Sequence, residues 1–169
     1  IRPGRYIGSI KDHTAESYVV DNGKMVKREV TWNPGLIKLF DEVISNSVDH
    51  SKRPEGKDLD SIRVEINRDT GEISVYDNGG IPVVEHKEYN EYVPSMIFGY
   101  LRSGSNFDDT EDSTSTGQNG EGSSLTNIFS TSFIVETCDG INKFKQVWTN
   151  NMKDKSEPKI SSTSSKGFT

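Results

Sequence analysis

Residues 34–50 carry the one long helical repeat in this chain, and that repeat limits the possible folds more than any other feature. At about 100° per residue, Leu36, Leu39, Phe40, Val43 and Ser47 fall on one face. Asn33-Pro34-Gly35 is a helix-opening signal just ahead of them. A helix with one apolar face must be covered, and the flanking segments read as strands. Residues 17–20 and 25–30 are strand-like around an Asp21-Asn22-Gly23 turn, and residues 61–67 and 72–76 alternate around Asp69-Thr70-Gly71. Residues 131–137 and 143–149 do the same around Asp139-Gly140, and short helices are expected at 93–101 and 123–129. Strands and helices in this order predict an α+β fold, a two-layer sandwich of a mixed β-sheet with helices on one face. A length of 169 residues suits one domain, residues 1–169, with a core of its own.

Composition then excludes several classes. The net charge is -6 and no long Lys/Arg cluster stands out, so no DNA-binding surface is visible in this segment. Cys138 is the single cysteine, which rules out an internal disulfide and fits an intracellular protein. No apolar run reaches membrane-spanning length and no secretory signal opens the sequence. The chain begins at Ile1 and stops at Thr169 within an incoming strand, so it is read as a piece of a longer protein.

The helix carries a second, polar stripe. Glu42, Asn46 and Asp49 stand at i, i+4 and i+7. Solvent-facing decoration has the same pattern. In a magnesium-nucleotide site the stripe would divide the chemistry. Asn46 would offer Mg²⁺ a neutral oxygen, and Glu42 would orient and deprotonate the attacking water. Two further elements bear on this choice. Asp77-Asn78-Gly79-Gly80-Ile81-Pro82 follows a strand; a carboxylate there can accept the exocyclic amine of adenine, and adjacent glycines admit the base to the backbone. Gly117-Gln118-Asn119-Gly120-Glu121-Gly122 precedes a helix start, and its amides can cradle phosphates. Each of these alone is equally an ordinary turn or linker. Residues 103–122 are nearly devoid of apolar side chains, and a loop of that length is functional or disordered.

In this order and spacing the elements resemble the GHKL ATPases, and in particular the ATPase domain of type IIA DNA topoisomerases. Arg2-Pro3-Gly4-Arg5-Tyr6-Ile7-Gly8-Ser9 resembles their entry segment, and Pro34 to Asn46 their Glu-Asn helix. Gly80-Ile81-Pro82-Val83-Val84-Glu85-His86-Lys87, Tyr92-Val93-Pro94, Asn127-Ile128-Phe129-Ser130 and Phe144-Lys145-Gln146-Val147-Trp148 resemble the eukaryotic-type enzymes. Gly122-Ser123-Ser124-Leu125-Thr126-Asn127 is most similar to the large subunit of T4-type phage enzymes. The resemblance covers nearly the whole chain. It implies a domain that binds ATP with Mg²⁺, releases ADP, dimerises as a gate, and couples hydrolysis to passing one DNA duplex through another. It places double-stranded DNA on domains absent here, a homodimer in the full-length enzyme, and no membrane. The location is then the host bacterial cytoplasm for a phage protein, or the nucleus for a eukaryotic one.

By position, the resemblance makes Glu42 the general base and Asn46 the Mg²⁺ ligand. Asp77 recognises adenine with Gly79 beside it, Ser105 and Asn106 lie near the ribose and phosphates, and Asn119, Gly120 and Gly122 form the phosphate loop. Thr169 helps hold adenine through water, and Asp49 supports the site from behind. His50 is read as a surface histidine, a phosphate contact being the other option. Three departures stand out. The family has D-x-G-x-G before Ile-Pro, whereas Gly79 here runs straight into Gly80; a true deletion would disturb the adenine contacts, and a residue missing from the sequence as given would not. Ser123-Ser124 stand where many relatives carry a lysine near the phosphates. The transducer domain, with its switch lysine, and the N-terminal arm exchanged between protomers lie outside the segment, so it is expected to bind nucleotide better than it hydrolyses it. Two rival readings remain: another GHKL ATPase (chaperone, mismatch-repair ATPase or histidine kinase), or a non-hydrolysing nucleotide-binding module.

Overall fold

A computed structural model describes residues 3–101 and 122–169. The chain forms two compact units, Ile1–Asp41 and Glu42–Thr169. Helix α1 (Pro34–Ser51) begins in the first and ends in the second.

The first unit is built on a hairpin of β1 (His13–Asp21) and β2 (Lys24–Trp32). Asn22 and Gly23 take φ of 48° and 75°, the left-handed pair that a two-residue hairpin turn requires. The strands run longer than the alternation predicts because exposed cross-strand pairs extend them. Thr14 and Thr31 join hydroxyls at 2.8 Å, and the His13 and Trp32 rings meet edge-on at 4.6 Å. Asn33 caps α1: its Oδ1 accepts from the Leu36 amide at 3.1 Å, while its Nδ2 donates to the Ile10 carbonyl at 2.7 Å. The helix-opening signal thus has its expected mechanism. The apolar face of α1 is less buried than its periodicity predicts: Leu36 is 56% exposed, whereas Ser47 is buried.

The second unit is an α+β assembly around one seven-stranded sheet. Its strands are β3 (Ile62–Asn67), β4 (Glu72–Asp77), β7 (Ser132–Asp139), β8 (Asn142–Thr149), β9 (Asp154–Lys155), β10 (Lys159–Ser162) and β11 (Lys166–Phe168). The order is β10-β8-β7-β11-β4-β3, with β9 paired to β8, and the pairs among the described residues are antiparallel. A two-residue ribbon, β5 (Glu85–His86) with β6 (Glu91–Tyr92), leads into α2 (Val93–Gly99). Helix α3 (Gly122–Ile128) leads into β7. The expected helix at 93–101 stops at Gly99 because Tyr100 is extended. The ribbons and β10 escape a pattern reading because they are short or exposed.

Alternate residues of β7 and β8 build the core, which contains Val135, Phe144 and Trp148 together with Val83 and Phe98. Phe98 stacks on Phe168 at 5.4 Å, so the last strand is clamped to α2. The core is also polar: Ser95 donates to Gln146 Oε1 at 2.7 Å, and Gln146 Nε2 donates to the Ser156 carbonyl at 2.8 Å. Asp139 closes the β7–β8 turn by accepting from the Ile141 and Asn142 amides at 2.9 and 2.7 Å, and from the Val83 amide at 2.9 Å.

Burial alone would raise the Asp139 carboxyl. The amides of Asn142, Val83 and Ile141 outweigh it and hold the group below its ordinary value. The unfolded chain therefore takes up this proton at higher pH than the folded one. The stabilisation is complete above the ordinary value and disappears as pH falls through the lowered one. Asp139→Ala is expected to destabilise the protein by about 1–3 kcal/mol at neutral pH. Urea melts should show the deficit shrinking as the pH is taken below the ordinary Asp range.

Candidate nucleotide site

Asp77 ends β4, opposite Ile62 of β3 and Phe168 of β11, and is 3% exposed. Its Oδ1 accepts from the Gly79 amide at 2.9 Å, closing an Asx turn. Asn78 anchors the same turn from the other side: its Oδ1 accepts from the Asp60 and Ser61 amides at 3.2 and 3.1 Å, and its Nδ2 donates to Asp60 Oδ1 at 2.9 Å. Nothing in the sequence pattern singles out Asn78; a polar residue in a turn carries no periodic signal. Gly80 has φ of 76°, and a Cβ there would overlap the Cys138 carbonyl oxygen. The Ile81 amide then donates to Thr137 Oγ1 at 2.7 Å. The turn is thus pinned from Asp77 to Ile81.

Gly79 lies against α1. A Cβ on it would stand 2.8 Å from both His50 Cδ2 and Leu59 Cδ1. His50 is not the surface histidine expected from sequence: its Nε2 is buried and lacks a hydrogen-bond partner among the described residues. Asp49 is 5% exposed and pairs with Lys52 at 3.6 Å.

Two turns back along α1 the helix meets the start of α3. A Cβ at Gly122 would overlap Glu42 Oε2, so only glycine lets this backbone reach the carboxylate. Asn46 Nδ2 donates to Ser123 Oγ at 2.8 Å. Thr169 continues the ladder past β11, exchanging backbone bonds of 2.7 and 2.8 Å with Glu136, one residue beyond the Phe168–Asp77 pair. The structure therefore brings Glu42, Asn46 and Gly122 together, and joins Asp77 and Gly79 to the same helix through His50. Ser105, Asn106, Asn119 and Gly120, and with them the loop expected to close on phosphates, lie outside the described residues.

A buried carboxylate at a strand end, a Glu-Asn helix and a glycine seated on its acid are thus brought together in one unit. The family described as "Histidine kinase-, DNA gyrase B-, and HSP90-like ATPase" matches residues 33–167, and the chain belongs to it. DNA topoisomerase 2 of Pisum sativum is 48% identical over 163 residues, covering 95% of this chain and 11% of that protein. DNA topoisomerase 2 of Acanthamoeba polyphaga mimivirus is 46% identical over 176 residues, covering 99% and 14%. The ATPase region of Saccharomyces cerevisiae topoisomerase II, solved bound to ICRF-187 (dexrazoxane), superimposes with a TM-score of 0.90 at 39% identity, covering 99% of this chain and 46% of that one. The ATPase and transducer domains of topoisomerase II from Balamuthia mandrillaris give 0.91 at 40% identity, covering 99% and 45%. The fold is the GHKL ATPase fold, and the chain is homologous to topoisomerase II ATPase regions while spanning about a tenth of the curated relatives' length. No helix among the described residues is long and apolar enough to cross a membrane.

The turn geometry separates two left-handed glycines. Gly71 has φ of 69° and open space around it, whereas Gly80 meets the Cys138 carbonyl. Gly71→Ala should cost about 1 kcal/mol, the left-handed penalty alone. Gly80→Ala should cost at least about 2 kcal/mol, since overlap adds to that penalty. Paired urea denaturation curves measure the difference; equal losses would show that the turn relaxes.

Proposed function

We propose that residues 1–169 form the ATP-binding, ATP-hydrolysing gate domain of a type II DNA topoisomerase. Hydrolysis would be coupled to passage of one DNA duplex through another by a longer homodimeric protein. The observation that carries this reading is the seating of Gly122 on Glu42 beside Asn46. It joins the end of the glycine-rich loop to an acid and an amide on one helix.

Asp77 accepts the adenine amine in this reading. A carboxylate offers about four lone-pair sites, and the Gly79 amide occupies one of them. Gly79 orients Asp77 through its amide, and Thr169, on the neighbouring strand, holds adenine through water. Asn119, Gly120 and Gly122 direct amides at the phosphates, and Ser105 and Asn106 meet the ribose and phosphates. Asn46 would hold Mg²⁺: one exposed carboxamide beside a carboxylate suits an ion that keeps several waters and takes its other ligands from phosphates. Bound there, the ion would neutralise charge developing on the β- and γ-phosphate oxygens. Glu42 takes a proton from water as its oxygen bonds to the γ-phosphorus, and the bond to the β–γ bridging oxygen breaks to leave ADP and phosphate. Asp49, buried and paired to Lys52, supports the helix behind these groups.

Glu42→Gln in the full-length protein is expected to lower ATP turnover by about 10²-fold or more while nucleotide still binds, because the amide keeps the shape and loses the base. Steady-state phosphate release with parallel binding of a non-hydrolysable analogue measures this; turnover within a few-fold of the parent would sink the assignment. Asp77→Asn is expected to weaken ATP by about 1–3 kcal/mol, since a donor then faces the adenine amine. Unchanged affinity by calorimetry would remove Asp77 from the site.

A further inference from the structure

A carboxamide meets a cation only through its oxygen, because its other end carries two N–H donors. An exposed asparagine with no neighbour samples both presentations and several rotamers, and a metal must select among them. Asn46 is exposed, yet its Nδ2 donates to Ser123 Oγ at 2.8 Å. Ser123 is held independently of that contact. On one side of it, Gly122 abuts Glu42. On the other, Ser124 is fully buried and donates to the Tyr100 carbonyl with the Ile97 carbonyl 3.2 Å away, and Asn127 Nδ2 donates to the Phe98 carbonyl at 2.9 Å. These bonds satisfy carbonyls at the end of α2 and lock α3 to it. The backbone that carries Ser123 is therefore held at both sides, and its hydroxyl meets the Asn46 carboxamide from a fixed origin.

We propose that Ser123 is a positioning residue which, by accepting the Asn46 N–H, presents Asn46 Oδ1 to the divalent cation of a bound metal–nucleotide complex. This rests on the reading of Asn46 as the metal ligand. Such outer partners fix ligand orientation and act through the ligand they hold.

The test uses the full-length protein and a non-hydrolysable ATP analogue, titrated by calorimetry with Mg²⁺ and with a chelator. The readout is the ratio of the two affinities, accompanied by the Mn²⁺ electron-spin-resonance spectrum of the nucleotide complex. Ser123→Ala is expected to lower the ratio by about tenfold and alter the Mn²⁺ spectrum. Ser123→Thr, which keeps the hydroxyl, should restore most of the ratio, as a merely structural role would not require. A Ser123→Ala ratio equal to the parent's overturns the proposal. Asn46→Ala separates the two levels. If it removes the metal dependence and Ser123→Ala does not, only the positioning role fails. If Asn46→Ala also leaves the ratio unchanged, the metal-ligand reading fails with it.

Discussion

Two glycine backbones laid against one helix are the constraint on which the site depends. Gly79 approaches α1 at His50, and Gly122 approaches it at Glu42. At both places a Cβ would stand within contact distance of the helix side chain or overlap it. The close approach brings two segments distant in sequence against a single element. A helix supplies that stripe at fixed intervals, so the spacing of Glu42, Asn46 and Asp49 is set before any tertiary contact forms. What tertiary structure adds is the arrival of the turn and of α3.

Strand β7 organises that arrival from the opposite side. Thr137 Oγ1 accepts from the Ile81 amide at 2.7 Å and lies 3.2 and 3.3 Å from the Ile81 and Gly167 carbonyls. Asp139, on the same face two residues along, takes the Val83 amide. The segment after the glycine turn therefore docks on the sheet through side-chain bonds in place of a ladder. Buried polar groups of this kind carry high stakes: satisfied, they specify one arrangement, and unsatisfied, they cost stability. Gln146, Ser95, Ser124 and Thr137 are all buried and all bonded. Among the described residues the buried orphans are His50 Nε2 and Asn127 Oδ1, and both belong to elements that hold the site.

Much of this is legible in the sequence. The Asn22-Gly23 hairpin, the Asn33 cap, the long helix and the central strands announce themselves through turn chemistry and period, which are local properties. The Glu42–Asn46–Asp49 stripe is visible for the same reason. Local pattern does not show how deep each member sits. Asp49 is buried and Asn46 exposed although they share a stripe, because burial depends on what packs across the helix. The setting of His50 is hidden on the same ground: its neighbours are Gly56 and Gly79, six and twenty-nine positions away, and no periodicity connects them. The roles of Asn78 and Ser123 are equally hidden, since each is a small polar residue whose partner lies elsewhere in the chain.

The turn after Asp77 shows how a glycine turn is held between fixed points. Asn78, Gly79 and Gly80 alone separate the end of β4 from Ile81, so one of them must reverse the chain sharply. Gly80 does so with φ of 76°, lying on the Cys138 carbonyl where no side chain fits. Asp77 closes on the Gly79 amide ahead of it, and Thr137 takes the Ile81 amide behind it. The turn is therefore confined between two fixed bonds. Asp77 keeps its place at the end of β4 beside β11, because its position is set by strand pairing with Ile62 and Phe168 and not by the length of the turn that follows. A strand end is a rigid platform for a carboxylate, and glycine supplies the reversal beyond it at the cost of conformational freedom alone.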